Sequence, residues 1–215
     1  MKKSNIRDRS LGVNFSVNAK DNLIKIVTSL QQESDRGCVL VGAAMIDNLI
    51  DDMLRKFLIP AQNKSKEDSL LDLGRACGEA GAKLNLIYRL SLIDNDIYLA
   101  IKNVYKLRNK FAHFDGQVSF HADETKNDVL NIIEPIKESV KSIVLMFCKA
   151  PEFGMDLTDS PEPISELTRQ KGLRDAYVLC IVGLVMSLKH VGVDAVPNIE
   201  ELWKKSGYPK PLRAG

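Results

Sequence analysis

No stretch of this 215-residue chain is apolar for the roughly 18 residues that a membrane-spanning helix requires, and the longest such run, Tyr177 to Leu188, stops at Lys189. The opening segment, MKKSNIRDRS, carries charge with no apolar core behind it, so it does not read as a secretory signal. Aromatic residues make up only 6%, and the long apolar runs favour Leu, Ile, Val and Ala, as helical packing does. Cysteine is sparse: Cys38, Cys77, Cys148 and Cys180 are far apart among apolar neighbours. They are expected to be buried free thiols of a reducing cytoplasm rather than a disulfide or zinc framework. A glycine-rich phosphate loop, a nucleophile elbow and a zinc motif are also missing, so no cofactor and no metal is expected. Alternating strand patterns, repeats and low-complexity tracts are absent too.

What is present is helical periodicity. In SDRGCVLVGAAMIDNLIDDMLRKFLIP, Val39, Ala43, Ile46, Ile50, Met53 and Phe57 recur at spacings of three and four. Ser34 and Asp35 are candidate caps and Pro60 a stop. The first half of this helix is apolar all round and should be the buried central helix. Its opposite face collects Asp47, Asn48, Asp51, Asp52, Arg55 and Lys56. The three aspartates could mimic a metal site, but no histidine or further carboxylate has matching spacing, so a solvated acidic face is the expectation.

An amphipathic helix, DNLIKIVTSLQQ, precedes it with Asp21 as cap, and the polar loop AQNKSKEDS follows. GEAGAKLNLIYRLSLI and NDIYLAIKNVYKLRNKFAHF read as two helices joined by a tight turn near Asp94. DETKNDVLNIIEPIKESVKSIVLMFCKA reads as a longer helix that Pro135 should kink or break. PEFGMDLTDSPEP is a linker, RDAYVLCIVGLVMSLKHV the last strong helix, and NIEELWKKSG a short one. The expected architecture is an all-α bundle of six or seven helices with no sheet. It divides into a basic arm (1–20), a helical core (21–150), a linker (151–163), a C-terminal helix packing on the core (164–192), and a short helix with a basic tail (193–215).

Charge is unevenly placed. Residues 1–20 hold Lys2, Lys3, Arg7, Arg9 and Lys20 against Asp8, and residues 203–215 hold Lys204, Lys205, Lys210 and Arg213 with no acid. Each end is therefore +4, and since the whole chain is +2, the 182 residues between carry −6. An acidic body is a poor partner for a polyanion, because phosphate contacts supply most nucleic-acid affinity. The plain reading of the ends is solvated chain. DNA or RNA contact through Lys2, Lys3, Arg7, Arg9, Lys204 and Lys205 is the weaker alternative.

The segment KLRNKFAHFDG sets polar groups into an apolar helix end. Ile97, Ala100, Ile101, Val104, Leu107 and Phe111 form one stripe, with Arg108 inside it. A buried guanidinium needs a carboxylate or an interface. Arg108 and His113 are five apart, about 140° around a regular helix. They converge only if the helix ends near His113 or if they meet across a dimer. The bland reading makes Arg108 a paired core arginine and His113 a helix-end histidine favoured by the dipole. His121 and His190 have no partner visible in sequence; His190 is expected near a helix end.

The ordered run from SDRGCVLVGAAMIDNLIDDMLRKFL through GAKLNLIYRLSLI to LRNKFAHFDG resembles the mannitol operon repressor family of all-helical bacterial regulators, over roughly Glu33 to Val140. The resemblance implies control of transcription through contacts with a protein partner. The apolar, small-residue helix faces and the placing of Arg108 make a homodimer the expectation, with Arg108 and His113 at the partner or dimer interface, and the free thiols place the protein in the cytoplasm. Arg108-Asn109, three residues, then His113 is also similar to the signature of HEPN-type helical domains, many of them metal-independent ribonucleases. That likeness implies His113 as general acid or base at a ribose 2′-hydroxyl, Arg108 stabilising the transition-state phosphate, and Asn109 orienting one of them.

Nucleic-acid contact through the basic ends would weaken steeply with salt and vanish when residues 1–20 and 203–215 are removed. Filter binding of the full and trimmed chains at two salt concentrations checks this, and unchanged affinity in the trimmed chain would move the contact onto the body.

Overall fold

The computed structural model describes residues 17–58, 68, 70–113, 119–148, 157 and 159–206. Side chains within this set are described from residue 23 to residue 189, except 142, 143 and 146–148. Seven helices occupy the described residues: α1 (Val17–Gln32), α2 (Asp35–Phe57), α3 (Ala80–Arg89), α4 (Asn95–His113), α5 (Asp123–Cys148), α6 (Pro163–Lys171) and α7 (Leu173–Ser206). No strand occurs among them, so the all-α bundle is confirmed. No helix among the described residues is long and apolar enough to cross a membrane.

The helix starts follow capping chemistry. Ser34 Oγ accepts the Gly37 N–H at 3.0 Å, satisfying one of the donors that a helix start leaves without an internal partner. Asp94 Oδ1 does the same for Ile97 at 2.9 Å, at the turn that joins α3 to α4. α1 begins at Val17 rather than near Asp21, so Asp21 lies inside the helix and not at its start. Leu23, Val27 and Leu30 give α1 its buried stripe. α2 closes at Leu58, whose N–H bonds the Leu54 carbonyl; Pro60 and most of the AQNKSKEDS loop lie outside the described residues.

The core has two central helices, not one. In α2 the stripe is Cys38, Val39, Gly42, Ala43, Ile46, Ile50, Met53 and Leu54. Ala44 is exposed and Phe57 only half-buried, so α2 has a solvent side even in its apolar first half. The stretch buried all round lies in α7, where every residue from Ala176 to Val185 is buried. It packs against α1, α2, α5 and α6, which explains why it carries no polar stripe. Gly42 permits the close approach of α2: a Cβ there would stand 3.1 Å from Tyr177 Oη and 3.3 Å from an Ile181 carbon. Phe111, Phe120 and Tyr177 then form an aromatic chain across α4, the α4–α5 connection and α7, with centroids 5.8 and 5.3 Å apart.

Further expectations at the C-terminal end are corrected. α6 is a separate helix, where a single C-terminal helix was expected after the linker; Pro163 sits in its first turn and Gly172 (φ 97) breaks it from α7. α7 continues to Ser206, so the segment NIEELWKKSG has no separate start and His190 lies mid-helix. Leu157, within the linker, is buried. Of the kink or break expected at Pro135, the break does not occur, since α5 runs unbroken from Asp123 to Cys148. A proline lacks the N–H that would bond the carbonyl four residues earlier. That carbonyl is Asn131 O, and Asn103 of α4 supplies the missing donor, Nδ2 to O at 2.8 Å.

Cys38 and Cys180 are buried and Cys77 half-buried, all as free thiols. Burial pushes Cys180 up to about 12. It does the same to Cys38, against some opposition from nearby Arg174.

One junction ties the helix ends together. At the start of α7, Arg174 donates to Asp35 Oδ1 at 2.9 Å and to the carbonyls of Leu30 (3.2 Å), Gln31 (3.1 Å) and Glu33 at the end of α1. Asp35 Oδ2 accepts Ser119 Oγ at 2.8 Å and the Phe120 N–H at 3.0 Å. Removing Arg174 leaves Asp35 Oδ1 and the carbonyls of Leu30, Gln31 and Glu33 without this donor, while Oδ2 keeps Ser119 and Phe120. Arg174→Met should therefore cost roughly 1–3 kcal/mol in urea unfolding, more than a partly solvated ion pair alone, because several backbone carbonyls lose a charged donor as well. Asn103→Ala, which uncovers one carbonyl, should cost about 1 kcal/mol. Equal, small losses would show that the junction is only a surface pairing.

Candidate functional site

The polar face of α2 and the inward edge of α4 form the site that the sequence singled out. Asp47 lies on the second half of α2, one turn before Asp51, and both carboxylates face cations or donors from other elements. Asp47 Oδ1 accepts the Tyr105 hydroxyl and Oδ2 accepts Arg108 at 3.3 Å. Arg108 also lies over the Tyr105 ring, 5.3 Å from its centroid. Its Nε and terminal nitrogen reach Asn109 Oδ1 at 3.3 and 3.1 Å. Burial raises the Tyr105 phenol well above its ordinary value, and the adjacent Asp47 carboxylate raises it further. Tyr105 is therefore a neutral donor.

A second set lies beside the first. Lys83 of α3 reaches Asp51, which also accepts Arg55 Nε at 2.5 Å. Arg55 continues to Asp72 at 2.9 Å and Asp68 at 3.5 Å. Partial burial by itself would raise Asp51, but the hydrogen bonds from Lys83 and Arg55 outweigh it and hold the carboxyl below its usual range. Because its folded value is depressed, this stabilisation is full above about pH 4 and is lost as pH falls through the lowered value. Asp47, Asn48, Asp51, Arg55, Asp72 and Lys83 line an open cleft of about 350 Å³, with Leu71 and Leu73 at its side. The expected solvated acidic face is thus an internally paired one. No group of side chains among the described residues has metal-ligand geometry.

Arg108 meets the carboxylate it was expected to need. It is not a core arginine, however, because its side chain remains 31% exposed and that of Asp47 30%. The helical stripe placed it among apolar residues, but its long stem carries the head out to the polar face of α2. α4 ends at His113, which is exposed and forms no hydrogen bond or ion pair among the described residues. No hydrogen bond joins His113 to Arg108, whose head turns to α2. The end of α4 is instead held by Arg36, which donates to the Ala112 carbonyl at 2.7 Å, and by Lys110, which pairs with Asp128 at 3.0 Å and Glu124 at 3.6 Å. Lys2, Lys3, Arg7 and Arg9 lie outside the described residues, as do the side chains of Lys204 and Lys205, which sit in the last turn of α7.

Sequence reasoning missed Tyr105 and Lys83. Tyr105 was signalled by its place three residues before Arg108, which puts the two on neighbouring positions of one helix. Nothing local marked Lys83, since its partner is 32 residues away.

The fold and this paired polar seam define an all-helical bundle. No protein family and no curated protein matches the chain. Solved structures do. A possible transcriptional regulator, YggD, from Shigella flexneri 2a str. 2457T superposes with a TM-score of 0.52 at 14% identity, over 81% of this chain and 99% of that one. This likeness establishes a shared fold. The MtlR–HPr complex from Escherichia coli gives a TM-score of 0.48 at 21% identity, over 77% of this chain and 97% of that one.

Because the Arg108–Asp47 pair is partly solvated, Arg108→Ala should cost about 1 kcal/mol, not the several expected for a buried pair. A double-mutant cycle with Asp47→Asn in urea should return a coupling of about 0.5–1 kcal/mol. A single-mutant loss above about 3 kcal/mol would place the guanidinium in a desolvated pairing.

Proposed function

We propose that this protein is a cytoplasmic, homodimeric regulator of transcription of the mannitol repressor type, acting by binding another protein rather than by reading DNA. The fold it shares with a possible transcriptional regulator supports the regulator part of this reading. The observation that carries the choice over catalysis is the engagement of Arg108. A guanidinium that must stabilise a phosphate has to face the substrate, and this one is held by Asp47, Tyr105 and Asn109. Its evident role is to fasten α4 to α2.

The second reading, a HEPN-like metal-independent ribonuclease using Arg108, Asn109 and His113, is favoured by one observation. His113 is exposed and unengaged among the described residues, as a general acid or base would need to be.

Two measurements separate the readings. Disrupting the chromosomal copy should alter transcript abundance of a defined operon without altering the ends of bulk RNA. Purified wild-type protein incubated with RNA in EDTA should leave it intact. Cleavage that yields 2′,3′-cyclic phosphate ends and disappears in His113→Ala would replace the regulator with the nuclease.

A further inference from the structure

From Ile97 to His113, α4 contains no acidic residue but has Lys102, Lys106, Arg108 and Lys110. Two of these cations are occupied, Arg108 by Asp47 and Lys110 by Asp128 and Glu124. Lys102 and Lys106 are exposed and form no ion pair among the described residues. With Leu99, at spacings of three and four, they make the outward ridge of the helix. This ridge stands on a body whose charge, apart from the two ends, is negative.

Beside the ridge lies an aromatic pair. Tyr88 of α3 stacks on Tyr98 of α4 with centroids 4.5 Å apart. Tyr98 donates its hydroxyl to Asn85 Oδ1 at 2.9 Å, and Lys102 Nζ lies 5.8 Å from the Tyr98 ring centroid. Tyr88 and Leu99 are each 37% exposed, so the face offers apolar area as well as charge. Rings held by stacking and a hydrogen bond lose little freedom when a partner covers them, and tyrosine is enriched at the energetic centres of protein interfaces.

We infer that the outer face of the α3–α4 hairpin, formed by Tyr88, Tyr98, Leu99, Lys102 and Lys106, is a docking surface for an acidic, amphipathic segment of a partner protein. Apolar side chains of that segment cover Tyr88 and Leu99, and its carboxylates meet the two lysines. This deepens and rests on the reading of a regulator that works through protein contacts. Charge complementarity selects the sign of the partner. Chemistry selects a protein over a nucleic acid: the Tyr98 ring is already stacked on Tyr88 with Lys102 near it, and two free lysines supply few of the phosphate contacts a polyanion needs on an acidic body.

The probe is a synthetic amphipathic helix with leucines on one face and glutamates on the other, labelled for fluorescence anisotropy and titrated with the full-length protein. A lysine-for-glutamate version serves as its partner control. The wild type should bind the acidic helix and not the basic one. Tyr88→Ser, and separately the pair Lys102→Glu and Lys106→Glu, should weaken binding about tenfold or more. The doubly reversed protein should gain affinity for the basic helix, which a merely unfolded variant could not do. Failure of the wild type to bind the acidic helix, or affinity indifferent to these substitutions, overturns the proposal. So does loss of DNA or RNA binding in the same variants, which makes the face a nucleic-acid site, or a change from dimer to monomer, which assigns it to a second copy. Loss of operon control on disrupting the gene, with control retained by the Lys102→Glu, Lys106→Glu protein, would refute this surface while leaving the regulator reading standing.

Discussion

The bundle depends on the ion pair between Asp35 and Arg174. Helix ends leave backbone groups unsatisfied, and four chain segments converge at this one place: the end of α1, the start of α2, the α4–α5 connection and the start of α7. Arg174 supplies donors to the α1 carbonyls. Asp35, in the first turn of α2, supplies acceptors to Ser119 and Phe120 and adds negative charge where the helix dipole favours it. Because Phe120 is positioned here, its ring reaches both Phe111 and Tyr177. The polar junction thus sets the register of the apolar core beneath it.

From that junction α2 and α7 run together, brought close by Gly42, and the remaining helices enclose them. α2 has a divided role. Its first half packs on α7, and its second half turns a polar face to α3, α4 and the 68–79 connection. Carboxylates on that face bind the neighbouring elements through Tyr105, Arg108, Lys83 and Arg55. These are half-exposed pairs, each modest in energy. Together they fix how the α3–α4 hairpin lies on the body, and so orient the outer face of that hairpin.

The distribution of charge on α4 follows from the same arrangement. Its inner edge gives Arg108 to α2 and Lys110 to α5, which leaves Lys102 and Lys106 on the outside beside a fixed pair of tyrosines. A helix with no acid over its last four turns contrasts with the acidic body it sits on. That contrast is what makes a protein partner of opposite sign a physical expectation for this face. His113, at the helix end, shares no hydrogen bond with Arg108, which is held by Asp47 and Asn109.

The sequence by itself determined that the elements are helices. Periods of three and four in α2 and α4, Ser34 as a cap, a turn near Asp94, and the lack of any alternating stretch required an all-helical chain, because these signals act within one or two turns. It also marked Arg108 as a residue in need of a carboxylate. Which carboxylate, and how deeply buried, was decided only by the tertiary structure: Asp47 is 61 residues away, and the length of the arginine stem lets its head leave the apolar stripe. The same holds for Pro135, whose unpaired carbonyl is satisfied by Asn103 on another helix, and for α7, whose uniformly apolar run becomes central only once α1, α2, α5 and α6 surround it. Local propensity operates along the chain, whereas ion pairing, donor supply and burial depend on which helices are neighbours in space. No short-range pattern encodes that.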